Sequence, residues 1–207
     1  MKLFSRIVSV VCHPVFLPTW VIALLLYLSP ELFFGLDQKQ QLLRVITVAY
    51  TTVTFPLLTV FLLWRLGFIE NMYMRDQRER YVPLIASMLF YFWVFWIFHK
   101  QFQAHQALQV FLLAVFLSTV LTFLVNLFSK VSMHTAAFGL LSAFSVYLAW
   151  HGITNAIVFV VLSILLCGVV AMVRLYLKEH TPPQVYTGMV LGVLALLLSI
   201  PVIKLIS

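Results

Sequence analysis

The sequence has few charged residues. Only 9% of its 207 residues are Asp, Glu, Lys or Arg, whereas about a quarter are charged in an ordinary soluble domain. Hydrophobic residues make up 63% of the chain, and the mean hydropathy is +1.07. A single soluble core cannot bury that much apolar surface, so the composition excludes a soluble globular domain and predicts an integral membrane protein.

Cysteine and acidic residues are also scarce. Cys12 and Cys167 both lie in apolar context, which provides no disulfide framework or metal motif and favours packing roles. Lys and Arg number 13 against 6 Asp and Glu, a net charge of +7. With no basic run or soluble module to present to nucleic acid, this excess indicates cytoplasmic loops, anionic headgroups or an anionic ligand.

Long apolar segments predict an all-α, multi-pass transmembrane bundle of six to seven spans. We expect the whole chain, residues 1–207, to form one membrane domain, because no linker is long enough to separate a second. The predicted spans are 10–29, 43–64, 82–99, 107–128, 132–150, 153–176 and 186–205. The first is interpreted as a retained helix, although Pro14 and Pro18 interrupt it.

Seven spans place the loops 65–82, 129–132 and 176–186 on the same side as residue 1. That side carries nine Lys and Arg residues and the other carries four, so the positive-inside rule would make the first side cytoplasmic. The rule gives little information about orientation here, because a cation that binds a ligand can lie on either side of the membrane.

The first polar cluster on this side is "NMYMRDQRERYVP", residues 71–83, with Arg75, Arg78 and Arg80 among two acidic residues. Its simplest interpretation is a solvated loop with ion pairs.

The second cluster is "KVSMHT", residues 130–135, with Lys130, Ser132 and His134. Here Ser132 is expected first as a helix N-cap, and His134 as a polar group at the headgroup level.

The third cluster, "VRLYLKEHTPPQVYTG", spans residues 173–188. It holds Arg174 at the end of an apolar run, followed by His180 and two prolines. An arginine in that position must reach the interface or find a partner.

Helical hairpins return all three clusters to one membrane surface, which brings two histidines and at least five cations together. Several cations and hydrogen-bond donors suit a phosphate group, and one histidine can act as nucleophile while another donates a proton. No cofactor is implied. Metal chemistry is disfavoured, because two histidines without a close acidic or cysteine partner provide too few ligands for a metal ion.

At these residues the chain resembles the type 2 phosphatidic acid phosphatase superfamily, whose motifs are K-x6-R-P, P-S-G-H and S-R-x5-H-x3-D. Arg174 and His180 match the third motif, and Ser132 and His134 match the second. The first match is loose, with Arg75 at the Lys position, Pro83 in register and Arg80 as a substitute for the Arg. The similarity extends over about residues 75–192 and is to a divergent bacterial branch.

The resemblance implies a phosphatase core over about residues 66–206, with 1–65 as additional N-terminal spans, in the bacterial cytoplasmic membrane. His180 would attack phosphorus and His134 would protonate the leaving group. The phosphoryl oxygens would be held by Arg174, Lys130, Ser132, Arg75 and Arg80. The implied partners are the lipid bilayer and a lipid phosphate, such as phosphatidic acid, phosphatidylglycerol phosphate, undecaprenyl diphosphate or a lipid A phosphate; no oligomeric state is indicated.

Two departures favour an alternative function. Gln184 stands where the family has the Asp that orients the histidine, and in a catalytic triad an amide at such a place costs about ten-thousandfold in rate. Met133 replaces the glycine of the second motif. A catalytically silent lipid-phosphate binder or transporter therefore remains the alternative. A prenyltransferase is disfavoured, because the chain lacks its paired D-x-x-x-D motifs.

Overall fold

The structure is a computed structural model that describes residues 2–70 and 77–206. Over these residues the chain is helical and contains no strand. Its principal helices are α1 (Lys2–Val11), α2 (Leu17–Leu28), α3 (Gln38–Ala49), α4 (Phe55–Arg65), α5 (Tyr81–Trp96), α6 (Gln106–Asn126), α7 (Met133–Trp150), α8 (Ala156–Tyr176) and α9 (Pro182–Ile206).

Six helical segments are long and apolar enough to cross a membrane, which confirms the predicted all-α multi-pass bundle. Two of them are composite: a π-helical turn joins α3 to α4 in Gln38–Arg65, and short turns extend α5 to Arg78–Gln101. The other four are α6, α7, α8 and α9. The chain is therefore a multi-pass membrane protein.

The predicted first span, 10–29, is wrong as a continuous helix. Helix α1 ends at Val11, the chain turns through His13–Phe16, and α2 begins just before Pro18. The 12 residues of α2 rise only about 18 Å, which is less than the roughly 30 Å hydrocarbon core of a bilayer. Proline at the start of α2 is tolerated, because the first turn has no acceptor for that backbone N–H.

The start of α2 and the residues that follow its end lie at opposite ends of the bundle. His13 contacts His134, at the start of α7. After α2, the Ser29 hydroxyl donates to the Thr154 carbonyl (2.7 Å), Glu31 Oε1 accepts from the Thr154 N–H (2.8 Å), and Asn155 Nδ2 donates to the Leu28 carbonyl (2.6 Å). We call the end where His13 contacts His134 the site end. The end where Ser29, Glu31 and Asn155 make these hydrogen bonds is the far end.

Helices α7 and α9 form the most extensive helix–helix contact, and glycine makes it possible. A Cβ atom at Gly188 would lie 2.6 Å from the Ser132 carbonyl oxygen, and one at Gly192 would overlap the Ala136 carbonyl. The Thr135 hydroxyl donates to the Val185 carbonyl (2.9 Å). This close approach fixes the two helix starts against each other.

Local signals position the ends of these helices. Ser132 is the N-cap of α7, and its hydroxyl accepts from the Thr135 N–H, as predicted. Helix α8 ends near Lys178, whose φ of +56° turns the chain out of the helix. Helix α9 then begins at Pro182, where proline lacks only an N–H that the first turn leaves unpaired. His180 thus lies in a short, fixed connection between two spans.

Candidate functional site

The site end of the bundle collects most of the predicted site residues. His180, Arg174, Arg80 and Lys130 lie close enough that the charges of the three cations act on the pKa of His180. The cations come from the segments that begin α5, precede α7 and end α8. Arg75 lies outside the described residues, so its predicted place in the phosphate site stays a prediction.

Gln184 fixes the orientation of the His180 ring. Its Oε1 atom accepts from the Thr181 backbone N–H (3.2 Å) and lies 3.2 Å from His180 Nδ1. Because a backbone N–H can only donate, the side-chain atom facing it is the oxygen, and Nδ1 must then carry the ring proton. The other nitrogen, Nε2, keeps its lone pair. The amide therefore selects the tautomer that a nucleophilic imidazole needs.

Burial and nearby cations keep the His180 imidazole neutral. Burial lowers its pKa to about 3, and the charges of Arg174, Arg80 and Lys130 act in the same direction, while the Gln184 hydrogen bond opposes them. The ring is uncharged at neutral pH. A neutral nucleophile beside several cations is an arrangement that favours reaction with an anion.

Arg174 is buried at the last turn of α8 and has one unused donor. Its Nη1 atom donates to the Ser9 hydroxyl at 2.7 Å. Within the described residues, its Nε atom is buried and has no hydrogen-bond partner. A buried guanidinium N–H without an acceptor is costly, so this atom marks a place where an anionic oxygen would be stabilised.

The other predicted phosphate ligands are less free to bind. Arg80 is buried at the start of α5, and its Nη1 donates to the Val131 carbonyl (3.4 Å). Ser132 is fully buried, and its hydroxyl serves as the α7 cap. Its backbone N–H donates to the Gln184 carbonyl (3.3 Å). Ser132 thus joins the second and third clusters through the backbone as well as through its side chain.

His134 is tied to α1. Its Nε2 atom lies 3.0 Å from the Ser9 carbonyl oxygen, and its ring meets that of His13 edge to face, with centroids 5.2 Å apart. A carbonyl only accepts, so Nε2 carries the proton. Burial, reinforced by the charge of Arg174, lowers the pKa of His13 to about 4, so His13 is uncharged at neutral pH.

Two cavities adjoin the cluster. An open cleft of about 620 Å³ is lined by Lys130, Lys178, Glu179, His180 and Gln184, among others. A second cavity of about 160 Å³ lies inside the bundle and has mainly apolar walls, with Arg80, His13 and Met133 in its lining. The charge of Arg174 acts on the pKa of both His13 and His180, so this cation lies near the linings of both cavities.

Ser9 and His13 are site residues that the sequence interpretation missed. Neither residue belongs to the three polar clusters identified in the sequence. The predicted topology placed only residues 1–9 on the site side and put His13 inside the first span, although the H-P-x-x-x-P stretch from His13 to Pro18 marks a helix break at that surface. Among the described residues, no group of three or more His, Cys, Asp or Glu side chains is placed to hold a metal ion.

Comparison with protein-family models, curated proteins and solved structures found no match to this chain.

Proposed function

We propose that the protein is a membrane lipid-phosphate phosphatase that hydrolyses a phosphomonoester or diphosphate lipid through a phosphohistidine, without a metal. The observation that carries the proposal is the His180 ring: Gln184 holds it as the tautomer with a free Nε2, and the charges of three nearby cations act on it. The resemblance to the type 2 phosphatidic acid phosphatases supports the same reaction and a place in the bacterial cytoplasmic membrane.

In the proposed reaction, His180 Nε2 attacks phosphorus and forms a P–N bond while the P–O bond to the lipid breaks. With the anionic phosphate bound, His134 acts as the imidazolium, gives a proton to the departing lipid oxygen and becomes neutral. Water then attacks phosphorus, loses a proton to His134, and the P–N bond breaks to release inorganic phosphate. Arg174, Arg80 and Lys130 offset the charge on the phosphoryl oxygens throughout, which is where most of the rate enhancement of such a site arises.

The inner cavity supports a lipid rather than a soluble phosphate ester. Its walls are mainly apolar side chains of the membrane-spanning helices, and Arg80 lies in its lining. A cavity of about this volume with mainly apolar walls has room for part of a hydrocarbon chain. A ligand with an anionic head and an apolar chain matches a cationic cluster and an apolar cavity that share one arginine.

The second candidate is a lipid-phosphate binder or transporter without chemistry. Gln184 favours it, because an amide brings no negative charge to stabilise the imidazolium that forms when Nε2 attacks phosphorus. Such a protein needs the cations but not the nucleophile.

Phosphate release from lipid phosphates by purified protein in detergent with EDTA separates the two candidates. We expect His180→Ala to lower release by about a thousandfold or more, the scale seen when a nucleophile is removed. His151→Ala is the matched control, because His151 is exposed at the far end, one residue after α7. Binding of lipid phosphate without release from any substrate would leave the binder as the function.

A further inference from the structure

Helix α1 covers the cationic cluster from one side. Two of its contacts with the site come from Ser9, whose hydroxyl accepts from Arg174 Nη1 (2.7 Å) and whose carbonyl accepts from His134 Nε2 (3.0 Å). His13, just beyond the end of the helix, adds the edge-to-face ring contact with His134. The neighbour that α1 packs against most is α8, which carries Arg174.

The two faces of α1 differ sharply. Leu3, Phe4, Ile7, Val10 and Val11 are all more than half exposed, and their spacing places them on one side of the helix. Ser5 is buried and Ser9 half-buried on the opposite side. In a multi-pass membrane protein, an amphipathic helix of this kind lies at the bilayer surface with its apolar face in lipid. The same helix then presents serine to the site.

The contacts of Ser9 engage the groups that the proposed reaction needs. Nη1, one of the Arg174 donors that a phosphoryl oxygen would meet, is already bonded to a neutral hydroxyl. The proton on His134 Nε2, which would go to the leaving oxygen, is directed at a carbonyl. A phosphate oxygen is a stronger acceptor for guanidinium than a serine hydroxyl is, so an entering phosphate competes with Ser9 for Arg174.

From these contacts we infer that α1 is an autoinhibitory lid on the phosphate site, with Ser9 on Arg174 in the place that a phosphoryl oxygen takes when a lipid phosphate enters. The inference rests on the proposed function for its substrate. The protein as described is the closed state, and phosphate binding releases the Ser9 contacts. In the open state α1 remains on the bilayer through its apolar face.

A closed lid weakens the apparent affinity for phosphate by the fraction of molecules that are open. Ser9→Ala removes the hydroxyl that holds Arg174 and leaves the backbone of α1 in place. A hydrogen bond to a charged group is worth enough to change the open fraction by about tenfold or more. The variant should therefore bind inorganic phosphate about tenfold more tightly than the wild type. If Ser9 were simply a wall of the site, the same substitution would weaken binding.

The first test is calorimetric titration of the full-length protein in detergent with inorganic phosphate. Ser199→Ala is the matched control, because Ser199 is buried in α9 and its hydroxyl donates within the helix to the Leu196 carbonyl (2.7 Å). Tighter binding in Ser9→Ala, with Ser199→Ala equal to wild type, supports the lid. Equal or weaker binding in Ser9→Ala, or no phosphate binding by any of the three proteins, overturns it.

The second test needs no change at Ser9. Cys12 follows α1 directly, whereas Cys167 lies within α8, so a Cys167→Ala protein leaves one reporter thiol beside the lid. We expect a membrane-impermeant maleimide to label Cys12 faster as inorganic phosphate is added, along the same curve as binding. A labelling rate that stays constant while phosphate binds overturns the lid.

Neither readout requires hydrolysis, so the two proposals can fail separately. Tighter phosphate binding by Ser9→Ala in a protein that hydrolyses no lipid phosphate supports the lid and overturns the phosphatase proposal. If hydrolysis depends on His180 but the Ser9→Ala variant binds phosphate more weakly, the phosphatase proposal is supported and the lid is overturned.

Discussion

Gln184→Glu tests the electrostatic account of His180 directly. The substitution keeps the length of the side chain and an oxygen in the position that accepts from His180 Nδ1 and the Thr181 N–H, both at 3.2 Å. It adds one negative charge. At that separation and an effective dielectric constant of about 20, a charge pair interacts by about 5 kcal/mol. The nearby cations and remaining solvent reduce the effect on the pKa.

We expect the pKa of His180, about 3 in the wild type, to rise by about 1–3 pH units in the variant. A protonated imidazole has no lone pair for attack, so activity is lost as pH falls through this pKa. In the wild type, His180 should therefore impose no loss of kcat/KM between pH 7 and about 4. In Gln184→Glu the loss should begin at a higher pH.

The assay is kcat/KM for phosphate release from a lipid phosphate between pH 4 and 8, in detergent with EDTA. Gln109→Glu is a matched control, because Gln109 Oε1 lies 2.7 Å from His99 Nδ1 beyond the far end of α5. A wild-type loss of kcat/KM with a midpoint near 6.5 would refute the reasoning. So would identical pH profiles for wild type and Gln184→Glu. NMR titration of the His180 ring measures the same pKa without requiring turnover.

Three further substitutions test the packing and the cations. Gly192→Ala should lower the midpoint of thermal unfolding, since its Cβ would lie 2.5 Å from the Leu140 nitrogen and overpacking costs about 1–3 kcal/mol. Gly168→Ala is its control, with no described atom within 4 Å of the added Cβ; equal losses would contradict the packing argument. Ser132→Ala should lower stability by about 1 kcal/mol through loss of the α7 cap, measured by thermal unfolding, and an unchanged midpoint would show that the cap contributes nothing. Arg174→Lys keeps the charge but loses the planar donors, so kcat/KM should fall by about tenfold or more; an unchanged value would exclude oriented guanidinium contacts.

The six long spans were predictable because each is an apolar run bounded by polar residues. The segment predicted at 132–150 is observed as Met133–Trp150, and 153–176 as Ala156–Tyr176. The first span was predicted wrongly because hydropathy does not register a helix break within an apolar stretch. Pro14 and Pro18 carried the relevant signal.

The juxtaposition of His180 with Lys130 and Arg174 followed from topology alone, since helical hairpins of equal length return to one surface. Gln184, which stands at the position of the family's histidine-orienting Asp, has its Oε1 atom 3.2 Å from His180 Nδ1. The contacts of Ser9 were not predictable in the same way. They depend on how a ten-residue helix packs against α8. A short amphipathic pattern predicts which face of a helix is apolar, but it does not predict which helix lies against the other face.

The far-end contacts of Ser29, Glu31 and Asn155 have a mechanical consequence for α1. They hold the end of α2 to the connection between α7 and α8 through three hydrogen bonds of 2.6–2.8 Å. Because these bonds hold the end of α2 in place, α1 can move relative to α2 only by rotation about the turn from His13 to Phe16. Pro14, within that turn, and Pro18, just after it, restrict the backbone of the hinge, so α1 can move only over a short range.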